Sequence, residues 1–257
     1  MNKLTKICYF SGTGNTLWSA QKIANSIDGD CTLVNIGKEI FKNEINLEAD
    51  AVILVFPAYA YGAPVIIRRF AKKAIIKAAY LALFVTYGTS PGGALAEIGR
   101  ILSKRKIKVS WFGRLPSVEN YIALFGPQSE KTITRRLDMQ TKTTDAAIRV
   151  IKERQTNSIN MIRPFSAFVS LLFSLGVKIF YKRYKVSDEC NGCGICEKVC
   201  PVSAVTMRDG KPVFSGKCEH CQGCINWCPQ RAIHFGKVGS QTPRYHHPEI
   251  SVSDISR

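Results

Sequence analysis

The sequence lacks features that would assign it to several large classes of protein. It has no apolar run of about 18 residues or more, which excludes a polytopic membrane protein. We expect no secretory leader, because Met1 to Lys6 leads into a short apolar stretch that Ser11 and Gly12 end. No Ser-His-Asp or Cys-His constellation stands out, so no catalytic residue is assigned. Since 46% of the 257 residues are hydrophobic, disorder is also excluded, and we expect a cytoplasmic protein of one or two domains.

Acidic residues are scarce, with 19 Asp and Glu against 36 Lys and Arg. The imbalance lies in residues 100–186, where eighteen basic residues accompany five acidic ones. Residues 1–99 have ten against seven, and residues 187–257 have eight against seven. A basic block of this kind can bind nucleic acid, an anionic membrane surface or an acidic protein, and charge alone does not choose among them.

Cysteine is abundant but confined to a short part of the chain. Eight of the ten cysteines lie in the 39 residues from Cys190 to Cys228. Without an export signal, such clustering favours metal binding over disulfides. The spacing Cys-x2-Cys-x2-Cys-x3-Cys-Pro occurs twice, at a constant offset of 28 residues. The two runs are Cys190, Cys193, Cys196 and Cys200, then Cys218, Cys221, Cys224 and Cys228.

This double run is typical of bacterial iron-sulfur proteins, in which the fourth cysteine of each run binds the other cluster. Gly192, Gly194 and Gly223 would let the backbone wrap closely around a cluster. The predicted ligand sets are Cys190, Cys193 and Cys196 with Cys228, and Cys218, Cys221 and Cys224 with Cys200. Two structural zinc sites are the alternative, although those normally use two Cys-x2-Cys pairs separated by a longer loop. Residues 186–237 resemble the bacterial two-cluster ferredoxins, which implies two 4Fe-4S clusters.

The N-terminal part alternates strand-like and helix-like segments, which predicts an α/β domain with a parallel sheet between two layers of helices. The predicted strands are residues 4–10, 31–36, 51–56, 80–87 and 107–112. The predicted helices are residues 17–26, 65–77, 94–104 and 128–154. Cys8 and Cys31 fall in these strands and are expected to be small core residues.

The loop Ser11-Gly12-Thr13-Gly14-Asn15-Thr16 joins the first strand to the first helix, where backbone N–H groups and the helix dipole can hold an anion. It lacks the Gly-Lys-Ser/Thr ending of a Walker loop, and Leu17 stands where a dinucleotide fingerprint has its third glycine. Its neutral donors therefore predict a site for a phosphate monoester. Loops at residues 57–62 and 87–93 end at the same sheet edge, and their tyrosines could flank a planar ring.

Residues 1–155 resemble a flavodoxin, whose phosphate loop has the pattern Ser/Thr-x-Thr-Gly-x-Thr that Ser11 to Thr16 satisfy. The resemblance implies a doubly wound, five-stranded parallel sheet and bound FMN. Its isoalloxazine would lie between Ala58-Tyr59 and Tyr87-Gly88. The predicted FMN-binding residues are Ser11, Gly12, Thr13, Gly14, Asn15, Thr16, Pro57, Ala58, Tyr59, Tyr87, Gly88, Thr89, Gly92 and Gly93. The domain departs from flavodoxins in being basic, so their partner surface is not transferred.

We place the flavodoxin-like domain at residues 1–157, a connecting helix at 158–185, the ferredoxin-like domain at 186–237 and a polar tail at 238–257. Residues 164–177 carry no charge and as a helix would be about 21 Å long, too short for a hydrocarbon core of about 30 Å. The segment could pack between the domains, lie on an anionic membrane surface or form a dimer contact. Among the four histidines, His220 alone lies between two predicted ligands, where it could hydrogen-bond near a cluster.

An FMN domain joined to a two-cluster domain would place three redox centres on one chain. The whole chain resembles the fused flavodoxin-ferredoxin proteins of anaerobic microbes. The resemblance implies low-potential electron transfer between an external redox partner and FMN by way of the clusters. The alternative is a flavin-dependent reductase acting on a small organic substrate. The basic middle of the chain then predicts an acidic docking surface on the partner or a peripheral membrane contact, rather than nucleic acid.

Overall fold

The computed structural model describes residues 3–160 and 164–256, and its largest element is a five-stranded parallel sheet. The strands are β1 (Leu4–Tyr9), β2 (Asp30–Asn35), β3 (Asn46–Pro57), β4 (Ile75–Tyr87) and β5 (Trp111–Pro116). Their order in the sheet is β2-β1-β3-β4-β5. This is the strand order of the flavodoxin-like doubly wound fold, so the predicted fold class is confirmed.

Helices cover both faces of the sheet. They are α1 (Asn15–Ala24), α2 (Ile36–Glu39), α3 (Val65–Lys73), α4 (Ala94–Lys104), α5 (Ile122–Phe125), α6 (Glu130–Lys152) and α7 (Pro164–Phe180). Alternate residues of a strand point to opposite faces, which explains why the central strands read as continuous apolar runs. In β3, Leu54 packs in one core with α3 and α4, and Ile53 packs in the other with α1 and α6.

Several predicted boundaries differ from those of the structure, and the third helix and the fifth strand show why. The third helix ends at Lys73 rather than at residue 77, because Ile75 already pairs with Asn46 of β3. The fifth strand begins at Trp111 rather than at residue 107. The N–H of Ile107 donates to the Leu102 carbonyl at 3.0 Å in the turn that ends α4, so this apolar residue belongs to the turn.

The two cysteines of the first domain have different environments. Cys8 lies on central β1 and is fully buried, as expected of a core residue. Cys31 lies on β2, which is an edge strand, and it is only half-buried. The sequence did not show which strand would form the edge.

The C-terminal domain is small and contains two antiparallel strand pairs. Its elements are a 3-10 turn (Tyr181–Arg183), β6 (Lys185–Val186), α8 (Ile195–Lys198), β7 (Val205–Arg208), β8 (Lys211–Phe214), α9 (Gly223–Asn226), β9 (Ile233–His234) and α10 (Val252–Ile255). β6 pairs with β9, and β7 pairs with β8. The domain contacts the loops after β1 and β2, since a Cβ added at Gly37 would overlap the Pro201 carbonyl oxygen. It therefore lies at the carboxyl-terminal edge of the parallel sheet, where open α/β sheets bind their ligands.

The segment predicted as a polar tail is packed against the first domain. Tyr245, His247, Ile250 and Ile255 are all buried. The backbone N–H of His247 donates to the Thr13 carbonyl at 2.8 Å, which brings the segment onto the predicted phosphate loop. The burial of these four side chains was not predicted, because the segment is polar overall and their burial depends on the tertiary fold.

Helix α7 forms most of the predicted connecting segment. Its small side chains face the first domain: Ser170 is buried against Gly62, and Ser174 accepts a hydrogen bond from Arg68. Within residues 3–160 and 164–256, no helix combines the length and apolarity that crossing a bilayer requires.

Candidate functional site

The loop from Ser11 to Thr16 is buried at the junction between β1 and α1. Gly14 is the N-cap of α1 and has a φ of 96°, a conformation that glycine adopts without steric cost. In the described structure no side chain caps this helix, so its first N–H groups remain available to an anion. The Ser11 hydroxyl accepts a hydrogen bond from the Gly14 N–H at 3.2 Å and fixes the turn.

Neighbouring loops position the polar side chains of this loop. The Thr16 hydroxyl lies 2.7 Å from the Thr86 hydroxyl, and the Asn15 amide donates to the Val118 carbonyl at 3.0 Å. A small cavity between these loops is lined by predicted residues from three strand ends: Ser11, Gly12, Thr13, Asn15, Thr16, Pro57, Ala58, Tyr59, Tyr87 and Gly88. Its donors are neutral hydroxyls, amides and backbone N–H groups, and this donor set fits a phosphate monoester. Glu119 also lines the cavity, where its carboxylate accepts from the backbone N–H groups of Thr89 and Tyr121. Phosphate binding at this loop remains a prediction from the sequence.

A larger cavity of about 310 Å³ adjoins the phosphate cavity and shares Ala58, Tyr59 and Gly88 with it. Thr89, another predicted residue, also lines the larger cavity. Its size and its aromatic walls fit a planar ring. Burial raises the pKa of the Tyr59 phenol well above its usual value, which keeps this wall uncharged.

Two predicted residues, Gly92 and Gly93, have a different role from the one expected. The Gly93 N–H donates to the Tyr61 carbonyl at 2.8 Å. A Cβ added at Gly92 would overlap the Tyr61 backbone, so the close approach requires a glycine there. These residues lie outside the two cavities and hold the loops after β3 and β4 together.

The turn at Ala60 and Tyr61 is an unusual feature of the cavity wall. Both residues have positive φ, at 45° and 64°, and the flanking Tyr59 and Gly62 exchange backbone hydrogen bonds at 2.8 and 3.0 Å. This is the geometry of a two-residue turn that normally contains glycine or asparagine. Strained backbone of this kind clusters at functional sites.

Several cavity residues were not predicted from the sequence. They come from the loop after β5, from α7 and from the second cysteine run, and include Glu119, Tyr121, Val169, Phe173, Phe180 and Gln222. His220 and Cys221 also line this cavity, although the sequence connects them only with the clusters. No local motif places these residues at this cavity, because they meet only when the second domain packs against the first. Glu119 connects two loops, since its carboxylate accepts from the Thr89 N–H at 3.2 Å and the Tyr121 N–H at 3.0 Å.

The eight clustered cysteines form two spatial sets. Cys190, Cys193, Cys196 and Cys228 line one cavity. Burial raises the pKa of Cys196 to about 12, and the charges that raise it further are those of Cys228, Cys193 and Cys190.

The cysteines of the second set also lie close enough together for one to raise the pKa of another. Burial raises the pKa of Cys221 above its usual value, and Cys200 and Cys218 raise it further. The backbone N–H groups of Ala204 and His220 donate to the sulfurs of Cys200 and Cys218 at 3.1 and 3.3 Å. The structure thus brings the fourth cysteine of each run near the other run, and the crossed ligand sets themselves remain a prediction.

Backbone conformation repeats together with the cysteines. Gly192 and Gly194 have φ values of 72° and 73°, and their counterparts 28 residues later, His220 and Gln222, have 54° and 62°. Left-handed conformations cost a non-glycine residue roughly 1–2 kcal/mol. The second run therefore keeps the shape of the first while it places two polar side chains on the wall of the larger cavity.

His220 is enclosed by aromatic rings and two hydroxyls. Its Nδ1 lies 3.0 Å from the Tyr184 hydroxyl, and its Nε2 lies 3.1 Å from the Tyr121 hydroxyl. The Phe235 and Phe180 ring centroids are 4.6 and 5.0 Å from its own. Burial lowers the pKa of His220 to about 4, so the imidazole is neutral at neutral pH.

The second cysteine set directly contacts the phosphate loop. A Cβ added at Gly12 would lie 2.7 Å from the Cys221 carbonyl oxygen and 2.9 Å from the Cys221 Cβ. Cys221 also lines the larger cavity. One residue of this thiol set therefore lines the larger cavity and adjoins the predicted phosphate loop.

Residues 189–233 match the 4Fe-4S dicluster domain. The match spans all eight clustered cysteines, from Cys190 to Cys228. The chain therefore joins a domain of flavodoxin-like topology to a 4Fe-4S dicluster domain.

The chain is also similar to solved flavodoxin-type structures. A flavodoxin of Streptococcus pneumoniae is 17% identical over 56% of this chain and 99% of that chain, with a TM-score of 0.35. A flavoprotein of Lactobacillus acidophilus in complex with FMN is 15% identical over 44% of this chain and 93% of that chain, with a TM-score of 0.33. A flavodoxin of Megasphaera elsdenii is 19% identical over 43% and 84%, with a TM-score of 0.32. The fold assignment rests on strand order.

Proposed function

We propose that this protein is a low-potential electron-transfer protein, which passes electrons between an external redox partner and bound FMN by way of two 4Fe-4S clusters. The observation that carries the proposal is the position of Cys221. This predicted cluster ligand lines the cavity proposed for the flavin ring and contacts Gly12 of the phosphate loop. Two redox sites that share a wall are suited to exchange electrons directly.

The phosphate loop would hold the FMN phosphate through neutral donors. Thr13 and Thr16 supply buried hydroxyls, and the start of α1 supplies N–H groups and the positive end of its dipole. The isoalloxazine would occupy the larger cavity beside Tyr59 and Gly88. When bound, FMN exchanges one or two electrons, whereas each iron-sulfur cluster exchanges one.

The two thiol sets differ in their access to solvent. Cys193 of the first set is exposed, whereas Cys224 of the second set is buried. The first set is therefore the contact point for an external carrier, and the second set is the link to the flavin cavity. The surplus of basic residues in 100–186 favours a carrier with an acidic docking surface.

The second domain also shields the larger cavity, proposed for the flavin ring, from water. Phe180, neutral His220 and Gln222 form part of its wall, and both imidazole nitrogens lie within hydrogen-bond distance of tyrosine hydroxyls. A largely apolar enclosure of this kind controls the potential of a redox group through burial and hydrogen bonding.

A flavin-dependent reductase is the second candidate, because the cavity has about 310 Å³ and receives one carboxylate, that of Glu119. In this case a small organic substrate would bind beside the flavin. Single-turnover reduction of the protein by a ferredoxin, with no substrate added, supports the carrier. Steady-state turnover that appears only when an organic acceptor is present supports the reductase.

Cofactor analysis of anaerobically purified protein tests the proposal. We expect one FMN per chain and about eight irons, as two 4Fe-4S clusters require. Reduction by an external ferredoxin should bleach the flavin absorbance, and Cys221→Ser should slow this step while FMN remains bound. Zinc in place of iron, or FAD or no flavin in place of FMN, would remove the basis of the proposal.

A further inference from the structure

The outer face of α7 is a continuous apolar surface. Six large side chains on this face are 53–72% exposed. They are Phe165, Phe168, Leu171, Leu172, Leu175 and Ile179. At 3.6 residues per turn they lie within an arc of about 120° of the helix circumference. An apolar stripe of this width is normally buried against a partner.

The other sides of α7 are already occupied by the protein. Ser170 is buried against Gly62, and Ser174 bonds Arg68, so one side is fixed to the first domain. Phe173 and Phe180 form a second side, which lines the larger cavity proposed for the flavin ring. The apolar face is therefore the third side of α7. It faces outward because the other two sides pack against the protein.

Basic residues flank both ends of this face. Lys182, Arg183 and Lys185 are exposed just beyond the end of α7. Near its beginning, Arg100 lines the same groove as Leu171. Glu97, the acidic residue of that groove, is paired with Arg68 at 3.2 Å. The face thus combines exposed apolar side chains with positive charge at its edges.

We propose that the outer face of α7 binds the surface of an anionic lipid bilayer. Aromatic and aliphatic side chains of an interfacial helix enter the acyl boundary, while the flanking Lys and Arg side chains attract anionic headgroups. A second copy of the chain fits less well. Because both ends of the face are basic, a symmetric dimer would bring like charges together in either orientation.

Vesicle co-sedimentation of the anaerobically purified full chain tests this proposal. We expect retention on vesicles that contain phosphatidylglycerol and much weaker retention on pure phosphatidylcholine vesicles. The double variant Phe168→Asp/Leu172→Asp should bind at least about tenfold more weakly, because its charges cannot enter the acyl boundary. Phe41→Asp is the matched control, since Phe41 is an exposed phenylalanine of the first domain, and it should bind like the wild type.

A second variant separates lipid binding from loss of folding. Lys182→Glu/Arg183→Glu leaves the apolar face intact and should weaken binding to anionic vesicles, with an unchanged circular dichroism spectrum. Equal retention on both vesicle types would overturn the proposal, as would wild-type retention of the Phe168→Asp/Leu172→Asp variant. A dimer in sedimentation equilibrium that this variant dissociates, together with no vesicle binding, would assign the face to a second copy instead.

Discussion

The indole N–H of Trp227 donates a hydrogen bond to the carbonyl oxygen of Gly12 at 3.0 Å. Trp227 immediately precedes Cys228 in the second cysteine run, and Gly12 belongs to the phosphate loop. The bond joins two residues that are 215 positions apart and buried. It fixes the cluster-bearing domain against the loop that we propose binds FMN.

Replacing Trp227 with phenylalanine should destabilise the contact between the domains. Phe keeps an aromatic ring but leaves the buried Gly12 carbonyl without its donor, at a cost of about 1–3 kcal/mol. For a chain of this size, each kcal/mol corresponds to a fall of about 2–4 °C in the unfolding midpoint. Anaerobic thermal scans at one fixed rate would measure the shift.

The control for this prediction is Trp18→Phe. Trp18 stacks on His247 with ring centroids 4.9 Å apart, and Phe can keep that stacking. The Trp18 variant should therefore melt close to the wild type. Equal shifts in the two variants would show that loss of indole volume, and not loss of the Gly12 bond, is responsible.

Gly12→Ala should weaken FMN binding. The added Cβ would lie 2.7 Å from the Cys221 carbonyl oxygen, which is backbone and cannot rotate away. Either the phosphate loop or the cysteine loop must move, and overpacking of this kind costs about 1–3 kcal/mol. We expect the dissociation constant of FMN, measured by flavin fluorescence, to rise by about tenfold, which corresponds to about 1.4 kcal/mol.

Gly239→Ala is the matched substitution, because an added Cβ there meets no atom within 4 Å in the described structure. It should leave the dissociation constant of FMN unchanged. If Gly12→Ala also binds FMN normally, the close approach of Cys221 to the phosphate loop does not govern the cofactor site.

Paired serine variants test the crossed ligand sets. Cys200 belongs to the first run in sequence but lies close enough to Cys218 and Cys221 of the second run to raise the pKa of both thiols. Cys200→Ser should therefore impair the cluster of the second run, and Cys228→Ser should impair that of the first. Each variant should retain about half of the iron, and electron paramagnetic resonance should lose a different signal in each. The opposite pairing of signals would show that each run binds its cluster alone.

The fold of the first domain could be predicted from local patterns. Apolar runs separated by amphipathic segments determine a parallel α/β sheet, and this prediction placed α4 at the same residues as the structure, Ala94–Lys104. The errors occurred where tertiary pairing overrides local preference. Ile75 joins β4 rather than the preceding helix, and Ile107 belongs to a helix-ending turn rather than to β5.

The candidate site could be predicted only in its local parts. Ser11 to Thr16 and the cysteine runs have their own spacing, so their positions are readable without a structure. His220 and Gln222 are different: they stand where the first run has glycines, and only the packed structure shows that they line a cavity formed mainly by the other domain. The burial of His247 on the phosphate loop was also hidden, because its neighbours in sequence are polar.

We expect the burial of His247 to make the packing of the C-terminal segment dependent on pH. Desolvation by burial lowers the pKa of His247 to about 4, below its usual 6.5. Between these values the unfolded chain binds a proton that the folded chain does not, so stability falls as the pH decreases from about 6.5 to 4. The full shift is worth up to about 3 kcal/mol.

Comparison of the wild type with His247→Gln isolates this effect. Burial raises the pKa of Glu219 to about 7, and this carboxyl contributes the opposite slope, with stability falling as the pH rises from about 4.5 to 7. Because Glu219 is present in both proteins, its contribution cancels in the difference between them. We expect the His247→Gln variant to lose less stability than the wild type between pH 6.5 and pH 4.5, measured by urea unfolding of the anaerobic protein. Parallel losses in the two proteins would mean that His247 is protonated without opening the segment that covers the phosphate loop.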